Sequence, residues 1–215
     1  MRRLVSALLS FNSISLNARM NFSASEIAAL QTTLTARWHE VLPQAEGDGL
    51  LQLVQQNHLR NFQLWHEEDI ARRDDLGFEA VYRAKRNIDR FNQERNNFAE
   101  EMDKLVVAVL EPATAGCPRN SETPGMMIDR LSILALKEFH MHEEASRIDA
   151  SAGHREKCGE KLARIRTQRT DLTGCLQDLL EDVRARRRTF SVYFQFKMYN
   201  DPALNPQLYR NAPAS

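Results

Sequence analysis

Apolar side chains recur at steps of three and four residues along most of the chain, and no segment keeps the two-residue alternation of a half-buried strand. Because residues three and four apart share one face of a helix, this periodicity predicts an all-α protein. We expect a bundle of about five helices with a long C-terminal helix. The first four predicted helices span about 25–41, 50–74, 78–110 and 124–149, and the fifth follows 151–154.

Capping residues mark the starts of two of these helices. Ser23 and Glu26 form the SxxE pattern of a capping box ahead of the first helix. Thr123 can cap the fourth helix, and Pro124 suits its first turn because an N–H there has no intrahelical partner. These positions predict where the chain enters each helix.

The last helix carries apolar residues at heptad-like spacing. A packed bundle and an antiparallel coiled-coil arm both explain such a pattern. The positions are Leu162, Ile165, Leu172, Leu176, Leu179, Val183 and Phe190.

The first 19 residues have a different character from the rest. Arg2 and Arg3 precede a brief apolar stretch, no acidic residue occurs before Glu26, and Met20 opens the approach to the first helix. This profile is typical of a targeting segment. We therefore expect 1–19 to be a disordered leader or an over-extended gene start, and 20–215 to form a single all-α domain.

Composition excludes several classes of partner. The 215 residues include 29 basic and 29 acidic side chains, so there is no basic field to attract nucleic acid. Three cysteines without ligand-like spacing argue against a disulfide framework and favour a cytoplasmic location. The longest apolar run, 105–110, is far shorter than the ~20 residues that span a bilayer, and we expect no membrane span.

The common enzyme motifs are missing. The chain has no GxxxxGK[ST] phosphate loop, no GxGxxG, no GxSxG and no CxxC. The stretch "HEEDI" at 66–70 begins like the zinc-protease motif HExxH but has Ile70 in place of the second histidine. The zinc-protease interpretation is therefore dismissed.

Polar residues nevertheless form rows beside the apolar faces of three predicted helices. If these rows converge, they form a pocket of mixed charge inside a helical bundle, where small-ligand and metal sites commonly lie. The second helix supplies Asn57, Asn61, His66, Glu68, Asp69 and Arg72; the third supplies Lys85, Asp89, Asn92, Gln93, Arg95 and Asn96; the fourth, with the residues before it, supplies Glu122, Thr123, Asp129, Arg130, Ser132 and His140.

Two kinds of chemistry suit such a pocket. Asp69, Asp89 and Asp129 could hold a divalent cation, with Mg²⁺ or Mn²⁺ favoured because the ligands are oxygens. With His66, the same aspartates would be the catalytic residues of a hydrolytic site. A small anionic ligand would be bound by the cationic and amide side chains and their neighbours. These are Arg72, Lys85, Asn92, Gln93, Arg95, Asn96, Glu122, Thr123, Arg130 and His140.

The same residues also have a purely structural interpretation. Pairs such as Asp69 with Arg72 occur on ordinary surface helices and contribute only ~0.2–0.5 kcal/mol each. Asparagine, however, helps a helix interior little. Four asparagines beside apolar rows therefore indicate buried hydrogen bonding or ligand contact, namely Asn57, Asn61, Asn92 and Asn96.

Four segments together resemble an uncharacterised bacterial family, classed as a domain of unknown function. They are "LWHEEDIAR" at 64–72, "IDRFNQERNN" at 88–97, "SETPGMMIDRLSILALKEFHM" at 121–141 and "KMYNDPALNP" at 197–206. The family pattern is LWHxED, IDxxNQxRN, ETPGxxIDRLSIL and KMYNDP. The resemblance implies no established activity. The resemblance implies a genomic setting among genes for cell-surface sugar assembly. Most residues of the polar rows fall inside the family motifs.

Two functions stay open at this point. The first is binding or hydrolysis of a small phosphorylated ligand, a sugar phosphate or nucleotide sugar, with or without a metal. The second is a non-catalytic helical partner or homodimer, acting with a cell-surface glycosyltransferase system, in which the polar rows fix helix register. The metal-dependent enzyme requires Asp69, Asp89 and Asp129 to converge on one open pocket.

Overall fold

The described part of the chain is almost entirely helical, as predicted. The structure, a computed structural model, describes residues 23–196 and 201–210, so the expectation for 1–19 lies outside the described residues. Within these ranges the only paired extended residues are Arg119 and Thr189, which form an isolated bridge. The helices are α1 (Ala24–Glu40), α2 (Gly49–Ile70), α3 (Phe78–Leu110), α4 (Pro124–Ser146), α5 (Ala152–Arg184) and the short α6 (Pro206–Tyr209), with a 3₁₀ turn at Asp74–Leu76.

Both predicted N-terminal caps are confirmed. The Ser23 hydroxyl accepts a hydrogen bond from the Glu26 amide, and the Glu26 carboxylate accepts one from the Ser23 amide. The Thr123 hydroxyl accepts from the Met126 amide at the start of α4. Each cap gives a partner to backbone donors that the helix cannot satisfy internally.

Two helices end at least four residues earlier than their periodicity predicts, and α4 stops at Ser146 instead of about 149. α2 stops at Ile70 instead of about 74, and Gly77 at φ +82° then helps the chain to reverse into α3. α5 stops at Arg184 although the heptad spacing continues to Phe190. Thr189 instead pairs with the loop before α4, and Phe190 enters the core from an extended segment. Tertiary contacts thus overrode local periodicity at the end of α5.

The helices pack as two long pairs, α2 along α3 and α4 along α5, with α1 resting mainly on α4. All five long helices send side chains into the main core, which supplies the principal driving force for folding. Its most deeply buried members are Ala24, Ile27, Val54, Met102, Val106, Ile128, Leu131, Leu176 and Val183.

The start of α4 approaches α3 unusually closely at Gly125. A Cβ atom added there would lie 2.2 Å from the carbonyl oxygen of Ala99 and 2.9 Å from the Asp103 carboxylate. Only glycine leaves room for this crossing. The contact places the ETPG and IDR segments against α3, where the candidate site lies.

None of the helices in the described ranges is both long enough and apolar enough to cross a membrane.

Candidate functional site

A partly buried carboxylate, Asp129, joins three helices. Its Oδ1 accepts hydrogen bonds from Asn57 at 2.8 Å and Asn61 at 2.9 Å, and its Oδ2 accepts one from Arg95 at 3.0 Å. The Asn61 Oδ1 accepts a further bond from Arg95, and Asn57 also donates to the Arg95 carbonyl. The Arg95 and Asp129 side chains are 22% and 15% exposed, so this charge-assisted hydrogen bond lies near the surface and is partly shielded from solvent.

The network continues inward to α1. Asn61 donates to the Ser132 hydroxyl, which lies 2.7 Å from Nδ1 of His58, while Nε2 of His58 lies 3.0 Å from the Thr35 hydroxyl. The Thr35 hydroxyl donates its proton to the Gln31 carbonyl, so His58 donates through Nε2 and accepts through Nδ1. Burial, and secondarily the charge of Arg169, lowers the pKa of His58 to about 3, which agrees with this neutral form.

A cleft of about 370 Å³ opens above the Arg95–Asp129 pair. We call it the α3/α4 cleft, because those helices form its walls while the extended segment 193–195 borders it. Segment 193–195 is held by the Gln195 amide, which donates to the Glu100 carboxylate at 2.9 Å. The polar residues that line the cleft include Arg95, Asn96, Asp103, Glu122, Asp129 and Arg130.

Asp103 is the most perturbed carboxyl group of the cleft. It is 3% exposed, and its Oδ1 accepts from the Gly125 amide at 2.6 Å. Burial raises its pKa to about 6, against the opposing hydrogen bonds from Thr123 and Gly125. Sequence reasoning missed Asp103 because it interrupts an apolar face between Met102 and Val106. A carboxylate on an apolar helix face is itself a signal of a functional or hydrogen-bonded site, because burying an unpaired charge is costly.

Glu122 and Arg130 form an ion pair at the mouth of the cleft, with Oε2 and NH2 2.8 Å apart. Beside them, the Asn96 side chain lines the cleft without a hydrogen bond to any described residue. Six of the predicted site residues therefore line the α3/α4 cleft or lie directly behind its α4 wall. They are Arg95, Asn96, Glu122, Thr123, Asp129 and Arg130.

His66 and His140 belong to a second, separate cluster. The ring of His140 stacks on Trp65 with centroids 4.5 Å apart, and the His66 and His140 centroids both lie within 5.3 Å of His39. Burial comes first among the causes that lower the pKa of both imidazoles, and Asp69 is near enough to oppose it. His140 is partly buried, whereas His142, two residues further along α4, is exposed.

The remaining predicted residues lie on helix surfaces or in local pairs. Lys85 pairs with Asp89, and Arg72 pairs with Glu68, each within one helix. Such exposed pairs contribute little. Asn92 accepts from Arg95 and thus supports the network, whereas Gln93 donates to its neighbour Asn97 on α3.

The three aspartates proposed for a metal do not converge. Asp69 lies by the histidine cluster, Asp89 lies on the α3 surface, and Asp129 is enclosed by amides and Arg95. At 1.5 Å per helical residue, Asp89 sits about 9 Å along α3 from Arg95. Over the described ranges no group of three His, Cys, Asp or Glu side chains is arranged to hold a metal ion. The proposed Mg²⁺ or Mn²⁺ site is therefore not formed there.

Comparison with known proteins identifies a family. A model of the family described as "Protein of unknown function (DUF4254)" matches residues 51–192, which include three of the four family-like segments and the wall of the α3/α4 cleft. No curated protein and no solved structure matches the chain. Because the match covers well over half of its length, the chain belongs to the DUF4254 family.

Proposed function

We propose that this protein binds a small phosphorylated ligand of the sugar phosphate or nucleotide sugar class in the α3/α4 cleft. The observation that carries the proposal is the Arg95–Asp129 pair at the cleft floor, fixed from behind by Asn57 and Asn61. A binding site needs polar groups held in place before the ligand arrives, because ordering them on binding costs affinity.

The polar groups of the cleft suit a hydroxylated ligand. Sugar hydroxyls both donate and accept hydrogen bonds, and the cleft offers carboxylates beside the Asn96 amide and the Arg95 guanidinium. Arg130, at the mouth, is the cation that can receive a phosphate, because its partner Glu122 is itself partly exposed. The proposal is binding, and it does not include the three-aspartate metal site.

Asn96→Ala tests the proposal. We expect glucose 1-phosphate, the first probe of a sugar phosphate panel, to raise the melting temperature of the wild type. The variant should bind about fivefold more weakly, the effect of one lost hydrogen bond of about 1 kcal/mol. Isothermal titration calorimetry measures the affinity. Since Asn96 bonds to no described residue, its truncation should leave the fold intact.

Asn97→Ala is the matched control. Asn97 is the next residue on α3, is exposed, and bonds only to Gln93 among the described residues. It should retain wild-type affinity. Equal affinities of the two variants and the wild type for every sugar phosphate that binds would contradict the proposed site.

The alternative proposal is a non-catalytic partner protein whose polar network sets helix register. The inner part of the network favours it, because Thr35, His58 and Ser132 are almost completely buried and bond to one another in the core. A wild type whose melting temperature responds to no sugar phosphate or nucleotide sugar would favour this alternative.

A further inference from the structure

A larger groove adjoins the α3/α4 cleft. This α4/α5 groove has a volume of about 950 Å³ and lies between α4 and α5, beside residues 120–122 and 187–188. Its lining carries five apolar side chains from both helices, which are Met127, Ile133, Leu134, Leu172 and Leu179. Charged residues, among them Asp171, Asp178 and Lys137, line it as well.

The groove and the cleft share three lining residues, Glu122, Arg130 and Ile133. The Glu122–Arg130 ion pair therefore lies where the two cavities adjoin. The two side chains are 33% and 52% exposed. Exposed ion pairs contribute little stability, so a ligand anion can replace Glu122 at Arg130.

The cleft, Arg130 at the junction and the groove together fit a ligand that has three parts in the same order. A sugar phosphate fills only the cleft, whereas a groove near the upper end of the usual size for small-molecule sites needs a larger group. An apolar lining with carboxylates around it suits a flat base and the hydroxyls of a ribose. The boundary residue Arg130 suits the anionic junction between the two halves.

We propose that the ligand is a nucleoside diphosphate sugar that spans both cavities. Its sugar occupies the α3/α4 cleft, its diphosphate contacts Arg130, and its nucleoside lies in the α4/α5 groove. This proposal rests on the proposed function. Of the two ligand classes named there, sugar phosphates and nucleotide sugars, it selects the nucleotide sugars.

Cys175 provides a direct test, because it is exposed and lines the groove, while Cys158 is buried. The full-length protein is treated with N-ethylmaleimide, with and without UDP-glucose or GDP-mannose, and peptide mass spectrometry follows alkylation. We expect at least one nucleotide sugar to slow alkylation of Cys175 tenfold or more. Glucose 1-phosphate and mannose 1-phosphate should leave the Cys175 rate unchanged, since they reach only the cleft.

Cys175→Trp fills the groove and provides a second measurement. It should weaken nucleotide sugar binding at least tenfold and leave sugar 1-phosphate binding at the wild-type level. Ala163→Trp, at an exposed α5 position that does not line the groove, is the matched control and should bind both ligands normally.

The outcomes separate the two proposals. Suppose that sugar phosphates bind in an Asn96-dependent way, that no nucleotide sugar protects Cys175, and that Cys175→Trp does not weaken nucleotide sugar binding. The groove proposal is then overturned and the cleft proposal stands. If a nucleotide sugar protects Cys175 but Asn96→Ala binds it and the sugar phosphates normally, no ligand enters the cleft and both proposals are overturned. If only the sugar phosphates depend on Asn96, the spanning proposal alone is overturned. Absence of any binding overturns both as well.

Discussion

At the scale of single residues, Asp103 shows how burial changes the chemistry of a carboxyl group. Its pKa rises to about 6 because the charged form is poorly solvated between α3 and α4. Since the folded-state pKa lies above the unfolded value of 3.8, its contribution to stability is full below pH 3.8. That contribution is lost as the pH rises through 6.

Asp103→Asn should remove this pH dependence. Between pH 4 and pH 7 the wild type should lose about 2 kcal/mol of unfolding free energy relative to the variant, which is most of the value of a shift of about two pKa units. The asparagine oxygen can still accept from the Gly125 amide, which limits other effects. Urea denaturation at each pH gives the two curves, and parallel curves would show that Asp103 is not perturbed.

At the scale of secondary structure, the crossing of α3 and α4 depends on one missing side chain. Gly125 allows the α4 N-terminus to meet the Ala99 carbonyl, and the same contact brings its amide to Asp103. Because the obstructing atom is backbone, it cannot move aside by changing rotamer. The glycine thus positions the cap, the buried carboxyl group and the cleft wall together.

Gly125→Ala is expected to destabilise the protein by about 3 kcal/mol or more, through overpacking against backbone. Gly174→Ala is the matched control, since an added Cβ in mid-α5 meets no atom within 4 Å. It should stabilise by about 0.5–1 kcal/mol, the usual preference for alanine in a helix interior. Chemical denaturation of both variants provides the measurement, and a harmless Gly125→Ala would mean that the helices cross less closely.

At the scale of the whole molecule, histidines link stability to acidity. Burial is the main cause that lowers the pKa of His58, His66 and His140 in the folded state. Their contribution to stability is therefore present above the unfolded value of 6.5 and is lost as the pH falls through the lower folded values. These histidines should weaken the fold as the pH falls below about 6.5, against the opposite contribution of Asp103, and His58 should carry much of the histidine effect.

His58→Gln should flatten the decline. Between pH 6 and pH 4, one histidine that protonates only when unfolded costs about 1.4 kcal/mol per pH unit, and the variant should lack that slope. Glutamine retains a donor and an acceptor for Thr35 and Ser132. His142→Gln, at an exposed site, is the control and should follow the wild-type curve. If the slopes of His58→Gln and the wild type coincide, His58 is not buried as a neutral group.

Local patterns predicted the helical elements, both caps and part of the polar network. Periodicity defines a helix face because it depends only on neighbours three and four residues apart, and the start and end of α3 were predicted correctly this way. Buried hydrogen bonding was predicted correctly for Asn57 and Asn61 for a similar reason. Polar residues adjoining apolar rows must find partners when the rows are buried.

Periodicity carries no information about the axial register of two packed helices, that is, which turn of one helix contacts which turn of the other. For this reason Asp69, Asp89 and Asp129 each lie in a polar row of their own helix, yet the three side chains have separate surroundings in the fold. The early end of α5 likewise depends on pairing between 118–120 and Thr189, which are distant in sequence.

The sequence by itself determined an all-α chain of the DUF4254 family, with defined helix starts and a set of polar residues that burial must satisfy. Only the tertiary structure decided which of them meet. The close crossing at Gly125 sets the relative height of α3 and α4, and so places Arg95, Asp103 and Asp129 at one cleft. Helix register arises from side-chain packing between distant segments, which no local pattern records.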